Sequence, residues 1–162
     1  MTPLLHMVCG GVGAGKTTYA RALADRIGGL HFSIDAWMTT LFGPDAGQPP
    51  RWDWVAERVG RCETQIVAQA LDAARRGVPS VLDLSFLRRA DRRRLADRAA
   101  AAGIGVALHV LDVPADERWR RVEARNVEQG DTFSLVVPRP VFDFVETMFE
   151  PPGADERAAW PP

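Results

Sequence analysis

Lysine is almost absent from this chain: of its 20 basic residues, Lys16 is the one lysine and the rest are arginines. Cysteine is nearly as scarce, and Cys9 and Cys62 form no disulfide framework or metal-ligand spacing. No apolar run approaches the ~20 residues that a membrane-spanning helix requires. The N-terminus has no charged segment followed by an apolar stretch and a cleavage site. These absences predict a reduced, cytoplasmic protein without a membrane partner. Charge of one sign is also missing. Twenty basic residues against 21 acidic ones leave a formal net charge of −1, which excludes the global cationic field of a non-specific nucleic-acid binder but not a local basic patch. There is no internal repeat and no low-complexity tract. A length of 162 residues, 46% of them hydrophobic, suffices for one core and predicts a single domain over residues 1–162.

Along the chain, apolar runs of strand length alternate with helical patterns. Leu4–Cys9 is an apolar run that stops at glycines, and Lys16–Arg26 then reads as a helix. His31–Ile34 reads as a second strand, followed by a short helix over Ala36–Phe42 and a Gly/Pro-rich loop to Pro50. Asp53–Arg76 is a long helix stopped by Gly77, and Val78–Leu84 a buried strand. Helices over Arg88–Ala102, Asp116–Arg125 and Pro140–Phe149, with a strand over Val106–Val113, complete the pattern. Asn126–Val137 reads as a polar loop, and the proline-bearing tail from Glu150 as extended. Alternation of this kind predicts an α/β fold with a parallel sheet covered by helices on both faces.

The lone lysine stands inside Gly10-Gly11-Val12-Gly13-Ala14-Gly15-Lys16-Thr17, which satisfies G-x-x-x-x-G-K-[ST] between a strand and a helix. Glycines let successive backbone N–H groups converge on phosphate oxygens, and the helix that follows adds the positive end of its dipole. The backbone of Gly11, Val12, Gly13, Ala14, Gly15, Lys16, Thr17 and Thr18 is therefore expected to cradle the phosphates of ATP. A compact ammonium suits the β/γ-phosphates better than a guanidinium fork, which accounts for the one position at which the chain keeps Lys. Thr17 offers a hydroxyl to Mg²⁺.

Ligands of an open parallel sheet gather at the carboxyl ends of its strands. Asp83, closing Val81-Leu82-Asp83, suits a carboxylate that helps to hold Mg²⁺; the plainer alternative is a turn-forming Asp. Asp35, after Ser33-Ile34, can accept a proton from an attacking hydroxyl, or can serve only as the N-cap of the next helix. Arg118, Arg121 and Arg125 share a helical face from which an arginine can reach the negative charge of a phosphoryl-transfer transition state, and Arg118 is counted among the nucleotide-binding candidates. Their plain alternative is a solvated face balanced by Asp116, Glu117 and Glu123. The cluster Arg88, Arg89, Arg92, Arg93, Arg94 and Arg98 reads mostly as a solvated helix surface, with a substrate-phosphate or nucleic-acid patch as the alternative. Trp37, Trp52 and Trp54 flank the Gly/Pro loop and are expected to pack, with stacking on an acceptor as the alternative.

With these residues in place, the chain resembles the small P-loop kinases that include polynucleotide kinase, gluconate kinase, chloramphenicol phosphotransferase and AAA-type ATP-binding proteins of predicted kinase function. The phosphate loop carries most of the resemblance. Ile34-Asp35-Ala36-Trp37, the run Val81–Arg92 and Val110-Leu111-Asp112-Val113-Pro114 continue it, and Glu150-Pro151-Pro152 with Asp155-Glu156 looks like the segment after the lid of gluconate kinases. The resemblance implies Asp35 as general base, Lys16, Arg121 and Arg125 on the phosphoryl, and a lid over about residues 126–137. Met38 stands where polynucleotide kinase would carry an arginine, which argues against a nucleic-acid 5′-hydroxyl as acceptor. Family members with a fifth strand place it after the lid helix, where this sequence carries a proline-bearing tail, so a four-stranded sheet in the order 2-3-1-4 is expected. The expected function is transfer of the γ-phosphoryl of ATP to a hydroxyl of a small molecule. A polynucleotide 5′-hydroxyl kinase and a nucleotide-gated ATPase without acceptor are the competing readings, and nothing in the pattern sets an oligomeric state.

Overall fold

The computed structural model describes residues 4–47, 51–130 and 136–162. Four strands, β1 (Leu5–Cys9), β2 (Leu30–Ser33), β3 (Ser80–Asp83) and β4 (Val106–Val110), form one parallel sheet in the order β2-β3-β1-β4, as the sequence leads one to expect. Among the described residues there are seven α-helices: α1 (Lys16–Ile27), α2 (Ile34–Phe42), α3 (Trp52–Arg75) and α4 (Arg89–Ala101) connect the strands, and α5 (Ala115–Glu128), α6 (Arg139–Met148) and α7 (Ala154–Ala159) follow β4.

The sheet is buried because its central strands are apolar on both faces. Every residue of β1 and β3 is buried. Alternation sends Leu5, Met7 and Cys9 of β1 to one face, where they meet Ile66 and Ala70 of α3 and Leu95 and Ala99 of α4. Val8 and Val81 go to the other face, against Ala20, Leu23 and Ala24 of α1. Leu82 is fully buried in the larger cluster, and truncating such a side chain to alanine costs about 2–5 kcal/mol. Below α1, a polar chain crosses this face: His6 Nδ1 lies 3.0 Å from His109 Nε2, and the Tyr19 hydroxyl 2.8 Å from His109 Nδ1.

Three expectations need correction. The tail from Glu150 is not extended throughout: α7 forms between its two proline pairs, and the Glu156 carboxylate accepts the Gly153 N–H at its first turn. The polar stretch from Asn126 is helical to Glu128, because α5 carries on until Gln129 turns left-handed. Arg92 does not belong to a solvated surface: it is fully buried, on the same helical face as Leu95, Ala96 and Ala99. Residues 131–135 of the expected lid and 48–50 of the Gly/Pro loop lie outside the described residues.

Candidate active site

Strand register brings the site together. Ser33 pairs with Asp83 across β2 and β3, so these strands end level, and the glycine loop leaves β1 beside them. Gly13 and Gly15 hold φ of 78° and 87°, a left-handed conformation that side chains rarely adopt. At Gly13 space forbids a side chain as well, since a Cβ would stand 2.5 Å from the Arg118 carbonyl oxygen. Gly15 is the N-cap of α1 and offers no side-chain cap, leaving first-turn N–H groups of the helix for another acceptor.

Lys16 folds back over the loop and donates to the Gly11 carbonyl at 3.0 Å. Burial holds its pKa below the usual lysine range, opposed by the charges of Asp83 and Asp35. The Thr17 hydroxyl donates to Asp83 Oδ2 at 2.7 Å. The turn-forming role of Asp83 therefore gives way to a buried carboxylate against the loop hydroxyl. His31 Nε2 approaches the same oxygen at 4.0 Å. Hard oxygen donors from one carboxylate and one hydroxyl suit Mg²⁺, which takes few protein ligands and completes its shell with phosphates and water. No cluster of three or more His, Cys, Asp or Glu side chains able to hold a metal unaided occurs among the described residues.

Asp35 lies in the first turn of α2 without capping it. The N-cap is Ser33, whose hydroxyl accepts the Ala36 N–H at 3.3 Å. Relieved of that role, the Asp35 carboxylate is pushed above its ordinary pKa by burial and by the charge of Asp83, while Lys16 and Arg125 pull it down. The charges of Asp83, Lys16 and Arg125 thus all bear on Asp35.

The three arginines of α5 part ways. Arg125 Nε is buried and unbonded among the described residues. Arg121 is half-exposed, pairs with Glu117 one turn away, and carries its Nη1 over Gly15. Arg118 is 5% exposed and has its donors committed, to Glu146 at 2.6 Å through both terminal nitrogens, to the Val12 carbonyl at 3.1 Å and to the Val113 carbonyl at 2.8 Å. It ties the phosphate loop to α6 and forms part of the wall of a cleft of about 470 Å³ with Gly11, Leu111, Pro114 and Phe149. The expectation of Arg118 at the nucleotide becomes one of position beside the cleft, with its charge already paired. Asn126 exchanges two hydrogen bonds with the Val137 backbone, at 2.9 and 3.0 Å, and so closes the base of the segment between α5 and α6. Glu146, Ser33, Arg92 and Glu156 escape a sequence reading; of these only Arg92 leaves a trace, in its spacing to Leu95 and Ala99.

Trp37 packs on the core. Trp54 stands edge-on to Phe42 and carries the Arg58 guanidinium 3.9 Å from its ring centroid. Trp52 is 60% exposed and meets Phe144 of α6 edge-to-face.

A parallel sheet in this order, a glycine loop with its lysine and threonine, and a carboxylate at the end of the adjacent strand define the class of P-loop kinase-like folds. The chain belongs to an AAA domain family, whose model matches residues 5–152. Solved structures of similar fold include a sugar kinase from Janibacter sp. HTCC2649 (TM-score 0.63, 22% identity, covering 96% of this chain and 82% of that one). Kti12 of Chaetomium thermophilum in complex with ADP-AlF3 is another (TM-score 0.63, 21% identity, 97% and 86%). A third is a chain of the Pnkp1/Rnl/Hen1 RNA repair complex (TM-score 0.63, 20% identity), of which this chain covers 43% while 90% of its own length is matched. No curated protein matches the chain. No helix among the described residues is long and apolar enough to cross a membrane.

Proposed function

We propose that the chain is an ATP-dependent phosphotransferase that moves the γ-phosphoryl group to a hydroxyl of a small-molecule acceptor. The observation that carries this reading is Asp35: a carboxylate in the first turn after β2, not needed as a helix cap, whose proton affinity is set against the charges of Asp83, Lys16 and Arg125. A nucleotide-gated ATPase needs a group that orients water but no base aimed at an organic hydroxyl.

Gly11 to Thr18 would hold the ATP phosphates through backbone N–H groups, with Lys16 leaving the Gly11 carbonyl for the β/γ-oxygens. The cleft beside Arg118 would take the rest of the nucleotide. Thr17 and Asp83 would hold Mg²⁺, which supplies charge neutralisation for the phosphates. Asp35 accepts the acceptor hydroxyl proton as its oxygen attacks; the raised pKa brings the carboxylate nearer in proton affinity to that hydroxyl than an exposed aspartate would be. Arg125, and more weakly Arg121, stabilise the negative charge on the equatorial oxygens.

A nucleic-acid acceptor is disfavoured by the state of the α4 arginines. Arg89, Arg93 and Arg94 are paired with Asp155, Asp97 and Asp91, and Arg92 is buried, so four of the six clustered arginines are engaged and Arg88 and Arg98 are left to meet phosphates. The reading is tested by measuring ATP consumption against a panel of sugars, sugar acids, nucleosides and amino-alcohol antibiotics, with acceptor-free hydrolysis as control. At least one class should raise turnover about tenfold or more. Stimulation by 5′-hydroxyl oligonucleotides alone would transfer the assignment to nucleic-acid ends.

A further inference from the structure

After Asp83 the backbone does something costly. Ser85 and Phe86, neither of them glycine, both sit at positive φ, 68° and 47°. The Phe86 N–H turns back on the Leu84 carbonyl at 2.9 Å, and Leu84 and Phe86 are buried. Such a turn persists only where its surroundings over-determine it.

The restraint comes from below. Arg92 Nη1 donates to the Phe86 carbonyl at 2.9 Å, and the Cys9 thiol approaches the same oxygen at 3.6 Å. Arg92 is fully buried and is held by Glu156 at two points, Nε to Oε1 at 2.8 Å and Nη2 to Oε2 at 3.0 Å. Glu156 belongs to α7, and that segment is fastened on either side. The Glu150 N–H donates to the Leu87 carbonyl at 2.8 Å, and the Leu108 N–H of β4 donates to the Trp160 carbonyl at 2.8 Å. A run of contacts therefore leads from the tail through Glu156 and Arg92 to the turn that follows Asp83.

We propose that Arg92, anchored by Glu156, is a positioning residue: it clamps the Ser85–Phe86 turn through the Phe86 carbonyl and so fixes Asp83 against Thr17. A buried ion pair is a costly way to fasten a tail, since apolar residues of similar volume do as well or better. What apolar residues cannot do is donate a hydrogen bond to the Phe86 carbonyl while gripping Glu156. A lysine can serve one of these partners but lacks the fork that serves both. The catalytic consequence rests on the phosphotransferase reading above; the clamp itself does not.

The test is Arg92→Lys in the full chain, which keeps an ion pair to Glu156 and loses the bond to the Phe86 carbonyl. Amide exchange over residues 84–88 should accelerate by about tenfold or more as the turn opens. Affinity for a fluorescent ATP analogue with Mg²⁺ should stay within about threefold, while acceptor-free ATP turnover falls about fivefold or more. Unchanged exchange at 84–88 overturns the clamp, and faster exchange with turnover within about twofold of wild type overturns its catalytic role. A wild-type chain that binds no nucleotide would sink the phosphotransferase reading alone, since the exchange result still decides the clamp. Should Arg92→Lys fail to fold, the double variant Arg92→Leu, Glu156→Leu leaves no buried charge and carries the same measurements. If neither folds, the pair is a structural staple and the positioning role is wrong.

Discussion

At the scale of single residues, Lys16 and Asp35 carry the account, and they should fail differently. Lys16 contributes charge to a loop and little to packing, so Lys16→Ala is expected to abolish ATP turnover in a protein that melts within a few degrees of wild type. Turnover retained in a folded Lys16→Ala protein would remove the phosphate-loop assignment. Asp35 is expected to cost stability rather than supply it. Its pKa is raised in the folded state, so between the unfolded and folded values the native protein binds more protons, and stability falls as pH rises through that window. Asp35→Asn should therefore raise Tm slightly at pH 7, since solvent at this exposed side chain screens much of the effect, with the gain shrinking as the pH is lowered through the raised pKa. Thermal melts of both proteins from pH 7 to pH 4 check this; a lower Tm for Asp35→Asn at pH 7 would mean that the carboxylate is structural.

At the scale of elements, α5 shows how differently three arginines on one helical face can be used. Arg118 is committed to Glu146 and two backbone carbonyls, Arg121 pairs with Glu117 in solvent, and Arg125 has a buried Nε without a partner among the described residues. Arg125→Ala is accordingly expected to cut turnover by about 10² or more, with ATP affinity within a few-fold, as for stabilisation present only in the transition state. Arg121→Ala should cost about tenfold or less, since its charge is shared with Glu117. Steady-state kinetics beside direct nucleotide binding separate the cases, and a loss of affinity at unchanged kcat would make Arg125 a nucleotide clamp. The sequence could show the shared face but not this division, because Glu146 lies 28 residues from Arg118 and no local pattern links them. Local signals did better where the chemistry is local. The glycine loop, its lysine and the strand-ending Asp83 are legible because backbone conformation and strand burial leave their mark within a few residues. Arg92 leaves only its spacing to Leu95 and Ala99, nothing local links it to Glu156 64 residues away, and the prolines that bracket α7 mask that helix.

For the molecule as a whole, the face of the sheet under α1 has a weakness towards acid. Burial and the neighbouring His6 and Arg26 press the pKa of His109 from its ordinary 6.5 down to about 4. The unfolded chain then binds the proton that the folded chain refuses, so stability is lost as the pH falls from about 6.5 towards 4, and the slope vanishes below that. Denaturant melts between pH 7 and pH 4 should show this loss, and His109→Gln should flatten it; an equal slope in both proteins would place the acid sensitivity elsewhere. At neutral pH the same scaffold holds the ends of β1, β2 and β3 level, which is what lets the charges of Asp83 and Lys16 bear on Asp35. The most direct test compares two rates in Asp35→Asn, using an acceptor identified by the panel screen. Binding of Mg-ATP should persist, phosphorylation of the acceptor should fall by about 10² or more, and acceptor-free hydrolysis should change by only a few-fold, because the loop, Mg²⁺ ligands and arginines remain. Acceptor phosphorylation within a few-fold of wild type in a folded Asp35→Asn protein, or an equal loss of both rates, would contradict the account.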